Sequence, residues 1–144
     1  MLTRVPHPYT TADATFFLDH VCTNSTELTW AVEDLEGTIV GNVGLGMAPE
    51  AALKRSAHEA EGKTKAAVVG FWYGQAYWGR GYATEVARAL VHHAFTKLSL
   101  DRVVSGYFAA NAGSARVHSK LGFRVVGKTL ERSAEMDTNI RCYD

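Results

Sequence analysis

The sequence predicts an α/β fold built on one mixed sheet, and three features carry that expectation. Between Lys65 and Val126 apolar strand-like runs alternate with helical patterns in the order strand, helix, strand, helix, strand. Ahead of them, Glu27–Asp34 and Thr38–Gly46 read as two strands joined by the short turn Leu35-Glu36-Gly37, so part of the sheet is antiparallel. With 144 residues the chain is long enough for one hydrophobic core and too short for two, so 1–144 is read as a single domain.

In chain order, Thr10 to Thr23 opens with Thr-Thr-x-Asp, an N-cap pattern, and sets Ala14, Phe17, Leu18 and Val21 at helical spacing. An amphipathic helix is expected there, followed by the hairpin. Met47 to Thr64 turns to alanine, glutamate and lysine, with Pro49 suited to a helix start and Gly62 to a stop, and reads as either a short surface helix or a loop. Lys65 to Tyr73 (KAAVVGFWY) is almost continuously apolar, as befits a central strand buried on both faces. After a break over Gly74 to Gly81, Tyr82 to Leu98 has the strongest helical periodicity. Ala83, Ala87, Leu90, Val91, Ala94, Phe95 and Leu98 share one stripe, and Glu85, Arg88, His92 and Lys97 fall elsewhere. Arg102 to Ala109 reads as a strand and Gly113 to Leu121 as a short helix ended by Gly122. Phe123 to Val126 follows as a strand and Thr138 to Tyr143 as a last edge strand.

Lys plus Arg equals Asp plus Glu at 15 each, so the formal net charge is zero and no global field recruits nucleic acid or an anionic membrane. An anionic ligand must then be held by a local device. No stretch approaches the ~20 apolar residues of a membrane span, and the N-terminus lacks a signal-peptide layout, which predicts a cytoplasmic location. Cys22 and Cys142 have no Cys-x-x-Cys spacing and the six histidines form no i, i+4 pair, so neither a disulfide framework nor a metal is expected.

The local device is Trp78 to Val86, WGRGYATEV, between a buried strand and a long helix. Gly79 and Gly81 let the backbone bend and approach a ligand, while the first N–H groups of the helix point outward with the positive end of its dipole. That combination suits a phosphate or pyrophosphate. A nucleotide P-loop is excluded because no Lys-Ser or Lys-Thr follows the glycines. A dinucleotide fingerprint fits poorly because Thr84 stands at its third glycine position. Alone, the stretch is equally a glycine turn joining strand to helix.

It stands with two further blocks in order: GFWYGQAYWGRGYATEV (70–86) is followed by Asn111-Ala112-Gly113-Ser114 and by Lys120-Leu121-Gly122-Phe123-Arg124. Together these resemble the GNAT superfamily of N-acetyltransferases, and in particular its ribosomal-protein N-acetyltransferase branch. The resemblance implies a mostly antiparallel central sheet flanked by helices, with a splayed strand pair at the cofactor site. It also implies acetyl-CoA as co-substrate, and a primary amine, either a protein N-terminus or a small amine, as acceptor. Attack is direct, since neither cysteine lies near the motif to form an acyl-enzyme.

By position, the family's acetyl-CoA loop falls on Trp78, Gly79, Arg80, Gly81, Tyr82 and Ala83, and the N–H groups of Gly79 to Thr84 are expected around the pyrophosphate. Trp78 replaces the usual Gln or Arg. The backbone of Phe71, Trp72 and Tyr73 matches the strand that bonds the pantetheine arm, and Asn111 and Ser114 match an N-x-x-S pair that contacts the co-substrate. His118 falls where many members place a tyrosine that protonates the departing thiolate, work that an imidazole can do near neutral pH. Ser114 is grouped with it as a catalytic candidate. Val68 stands where the branch often has a general-base glutamate. Glu33, Glu131 and His58 are surface alternatives, and positioning an amine against a thioester supplies much of the rate without a base.

The resemblance begins at Val5-Pro6-His7-Pro8-Tyr9-Thr10, later than in a complete domain of this type. Either a first strand and helix are absent or the resemblance misplaces the start. Their loss would expose a sheet edge for a partner chain, such as a second copy, to cover. Met47 to Thr64 is expected either as part of the acceptor wall or lid, or as a surface excursion. Two rivals stay open: a non-catalytic CoA-binding or regulatory module, and a protein-interaction domain with a vestigial loop.

Overall fold

The computed structural model describes residues 8–23, 27–47, 65–132 and 137–143. Helix α1 (Thr11–Phe16) begins at Thr10, whose hydroxyl accepts the Asp13 N–H while the Asp13 carboxylate accepts the Thr10 N–H at 2.8 Å, a reciprocal cap. The winding then loosens to a π-helical turn over Phe17–Val21. Of the apolar face expected of this helix, Ala14 and Phe17 are half-buried and Leu18 is exposed, so the face is only partly covered by the described residues.

Strands β1 (Glu27–Glu33) and β2 (Ile39–Met47) form the expected antiparallel hairpin. Asp34 organises its turn: the side-chain Oδ1 accepts the N–H groups of Glu36 at 3.0 Å and Thr38 at 2.9 Å, and Gly37 supplies the left-handed φ of +79°. Strand β3 (Ala66–Tyr73) adds antiparallel to β2, helix α2 (Tyr82–Thr96) crosses over, and strand β4 (Arg102–Phe108) returns parallel to β3. Helix α3 (Ala112–Lys120) follows, ending at Gly122 with φ +86°, and then β5 (Val125–Arg132) and β6 (Asp137–Tyr143). The strand order is β1-β2-β3-β4-β6-β5, antiparallel at every pairing except β3 with β4.

Two expectations change. The C-terminal strand is not at the edge; β6 inserts between β4 and β5 and leaves β5 outermost. Nor is β3 buried on both faces along its length. Ala66, Ala67 and Val69 are buried, but Gly70 is open and Trp72 is 43% exposed, because β4 pairs only with Ala66–Val68 and leaves the rest of β3 without a strand neighbour on that edge among the described residues. The helix or loop expected in Met47–Thr64 lies outside the described residues beyond Met47, as do His58 and the Val5-to-His7 start of the resemblance.

The core lies where α2 crosses the sheet. Ala87, Leu90 and Ala94 pack on Val43, Leu45, Ala67, Val69 and Val103. Phe95, at 46% exposed, and Leu98, at 42%, fall outside this contact, the latter because α2 ends at Thr96. No helix among the described residues is long and apolar enough to cross a membrane. Leu90 is fully enclosed, so Leu90→Ala is expected to cost about 2–5 kcal/mol and Phe95→Ala less than about 1 kcal/mol, read from denaturant melts of both variants.

Candidate active site

The site grows from the way β3 and β4 part. At their start the pair is clamped: Lys65 N–H donates to the Asp101 carboxylate at 2.8 Å and Asp101 N–H to the Lys65 carbonyl at 2.9 Å. Pairing runs through Val68 opposite Val104 and stops. From Ser105 to Phe108, β4 is paired instead on its other edge with β6. This is the splayed strand pair expected from the sequence.

Backbone groups on alternate residues of a strand face the same edge. The Val69 carbonyl accepts from the β4 side chain of Ser105, and the Tyr73 carbonyl accepts the Trp78 indole N–H at 2.8 Å on that same side. Phe71, between them, therefore points its N–H and C=O into the opening, whereas Trp72 faces β2 opposite Asn42. Of the three residues expected to offer backbone groups to an extended arm, Phe71 offers both, Tyr73 only its N–H, and Trp72 none. Trp78 also gains a physical account, since its indole ties the loop back onto β3.

The loop between β3 and α2 passes through a short 3-10 turn (Gln75–Tyr77) and two left-handed glycines, Gly79 at φ +77° and Gly81 at φ +97°, the latter capping α2. Thr84 N–H already donates to the Gly81 carbonyl at 3.0 Å, so the expected cradle shortens by one residue. The N–H groups of Gly79, Arg80, Gly81, Tyr82 and Ala83 find no backbone acceptor among the described residues, and space is open around both glycines. Arg80 sets its guanidinium 5.4 Å from the Tyr77 ring centre, adding a held cation beside this row. The arrangement fits a diphosphate at the positive end of a helix.

Asn111 and Ser114 have a local duty: Asn111 caps α3, its Oδ1 accepting the Ser114 N–H at 2.9 Å. An N-x-x-S sequence is as much a capping signal as a ligand signal, a point sequence reasoning passed over.

His118 differs most from expectation. It is 1% exposed and sits among the rings of Phe71, Tyr107 and Phe123 at 5.5, 5.1 and 5.4 Å. Nδ1 lies 2.7 Å from the Ser114 carbonyl and Nε2 2.7 Å from Ser105 Oγ, which in turn lies 2.8 Å from the Val69 carbonyl. These three contacts call for three protons, and a neutral imidazole with one hydroxyl carries two. The Ser114 carbonyl can only accept, so Nδ1 carries the imidazole proton and the Ser105 hydroxyl proton is shared between Nε2 and Val69. An enclosed ring with both nitrogens engaged presents no free N–H to a thiolate. Ser114 Oγ lies 3.4 Å from Nδ1, a long contact beside the shorter one to the carbonyl.

Ser105 is the residue the sequence reading missed, although a lone hydroxyl inside the apolar run RVVSGYF was a legible sign of a buried polar contact. Tyr73 has the one buried side-chain polar atom without a partner among the described residues; burial first, and then the Glu85 charge, push its hydroxyl up to about 12, so it stays protonated. No group of three His, Cys, Asp or Glu able to hold a metal occurs among the described residues.

The acetyltransferase (GNAT) domain family matches residues 1–124. The chain is similar to a probable N-acetyltransferase of Bacillus subtilis, 38% identical over 66 residues that cover 46% of this chain and 36% of that protein. It is also similar to a putative ribosomal N-acetyltransferase of the same organism, 32% identical over 76 residues covering 53% of this chain and 42% of that one. The aligned stretch spans less than half the length of either relative. In shape it is similar to the crystal structure of a GNAT-family acetyltransferase from Bacillus anthracis, with a TM-score of 0.73 at 20% identity over 94% of this chain and 74% of that one, a likeness of fold.

Burial pushes the His118 imidazole below its ordinary 6.5, and the Ser114 carbonyl only partly offsets that. A histidine depressed in the folded state takes up its proton more readily when unfolded. Its contribution is therefore full above about pH 6.5 and declines as pH falls from there toward the folded value. Denaturant melts at stepped pH are expected to show wild type losing stability between about pH 7 and 5, with a shallower slope in His118→Phe. Equal slopes would show that His118 does not contribute.

Proposed function

We propose that this chain, which belongs to the acetyltransferase (GNAT) domain family, transfers an acetyl group from acetyl-CoA to a primary amine by direct attack. The observation that carries this reading is the row of N–H groups from Gly79 to Ala83 that no backbone acceptor takes up among the described residues, together with the open backbone edge of Phe71 on the strand that leads into that loop. The first suits a diphosphate; the second suits an amide-bearing arm laid against a strand edge. Asn111 commits its Oδ1 to the cap, and its amide N–H groups, which find no acceptor among the described residues, are assigned to the same ligand, with Ser114 one turn further along α3.

Amine nitrogen attacks the thioester carbonyl carbon, a C–N bond forms, and the C–S bond breaks with its electron pair leaving on sulfur. The amine must arrive neutral, and its second proton leaves to solvent. The β3 stretch AAVVGFWY holds no carboxylate to collect it, so the chain acts chiefly by positioning the two reactants. A thiolate whose conjugate thiol has a pKa near 8.5 takes a proton from water at neutral pH, and no buried acid is required. His118 serves by holding its surroundings in place.

Protein N-termini and small amines are the two acceptor classes. Similarity to a putative ribosomal N-acetyltransferase makes N-terminal peptides the first to screen. The enclosed His118 and the missing carboxylate favour one other reading, a module that binds CoA without turnover.

Calorimetric titration of acetyl-CoA is expected to give micromolar binding, weakened at least about 100-fold in Gly81→Glu, where a side chain at φ +97° brings strain and negative charge to the cradle. Thiol release should then depend on added amine. Binding without amine-dependent release would support the CoA-binding module, and no binding would overturn both readings.

A further inference from the structure

The ladder between β3 and β4 ends where Ser105 begins. Beyond Val68 and Val104, the next β3 carbonyl that faces β4 is that of Val69, and it accepts the Ser105 hydroxyl at 2.8 Å in place of a backbone N–H. Ser105 is buried, and its Oγ is 2.7 Å from His118 Nε2, while the other ring nitrogen is anchored on the Ser114 carbonyl of α3. One line of polar contacts thus ties α3 to β4 and β4 to β3 at the point where the strands diverge.

We propose that Ser105 and His118 are a positioning pair that sets the opening between β3 and β4. The inference rests on the acetyl-CoA reading above, and within it the pair fixes the Phe71 edge for the pantetheine arm while leaving the diphosphate cradle alone.

A strand that stops pairing leaves a buried carbonyl, and an unpaired buried carbonyl is costly. A longer ladder would satisfy it by closing the opening. A side-chain hydroxyl satisfies it with the strands apart, and a short rotatable hydroxyl has a defined direction only if something else holds it. Nε2 does so by taking a share of the same proton, which keeps the hydroxyl between the ring and the Val69 carbonyl. Nε2 is in turn fixed by the rings of Phe71 and Tyr107, which stand on the two parting strands. Phe71 thus supplies both the open backbone edge and one wall against the imidazole. The cradle from Gly79 to Ala83 stands on the α2 side of the loop and touches none of these contacts.

Titration calorimetry with two probes tests the pair: acetyl-CoA, and 3′-phospho-ADP, the nucleotide half that lacks the pantetheine arm. Ser105→Ala is expected to weaken acetyl-CoA about tenfold, the scale of one lost hydrogen bond, and to leave 3′-phospho-ADP unchanged. Ser105→Thr, which keeps the hydroxyl, should restore acetyl-CoA binding. If Ser105→Ala does not fold, His118→Phe, which keeps the ring among its aromatic neighbours, is expected to show the same selective loss. Equal weakening of both probes, or no weakening of either, would overturn the positioning role. Wild type that binds neither probe would overturn the acetyl-CoA reading itself, and is told apart because it needs no substitution.

Discussion

Parallel pairing between β3 and β4 covers Ala66–Val68 against Arg102–Val104, and everything at the proposed site depends on its ending there. Asp101 clamps the near end through the Lys65 backbone, so the strands cannot drift apart as a whole. Pinned at one end and released at the other, they open as a wedge, and Phe71 is left with hydrogen-bonding groups that no strand takes up. A full ladder would have made β3 an ordinary central strand with nothing to offer a ligand. The Ser105 hydroxyl makes the early ending tolerable by reaching the Val69 carbonyl that the ladder abandons, and the His118 ring, which shares that hydroxyl proton, holds the side chain at the divergence.

The second requirement is electrostatic and equally local. A chain with no net charge has no long-range field to gather an anion, so attraction must come from oriented dipoles at short range. The head of α2 provides them, and the left-handed glycines turn the chain into the helix without a side chain in the way. Burial of Ala87, Leu90 and Ala94 fixes the axis of α2 against the sheet and so fixes where that row of N–H groups points. Core packing and ligand geometry are in this sense one problem.

The parts legible in the sequence are those whose signal is periodic or local. Seven apolar positions at helical spacing marked α2, two strand-like runs joined by Leu35-Glu36-Gly37 marked the hairpin, and Gly122 marked the end of α3. What stayed hidden depends on contacts between distant segments. Nothing in the composition of residues 138–143 distinguishes an inserted strand from an edge strand, because the difference lies in which neighbour pairs first. The family resemblance suggested an acid for the departing thiolate at His118, but spacing along a helix says nothing of the rings that close over it from β3 and β4. Ser105 lies between these cases: its polarity within an apolar strand was visible, its partners 36 residues upstream and 13 downstream were not.

The central claim is that one ligand spans the cradle and the opened strand edge. Backbone amide signals of the whole chain, followed by nuclear magnetic resonance as acetyl-CoA is added, test it most directly. The account predicts that the largest shifts fall on Gly79 to Ala83 and on Phe71, with β1 and the exposed face of α2 unmoved. Shifts confined to other surfaces, with those amides unchanged at saturating ligand, would contradict it.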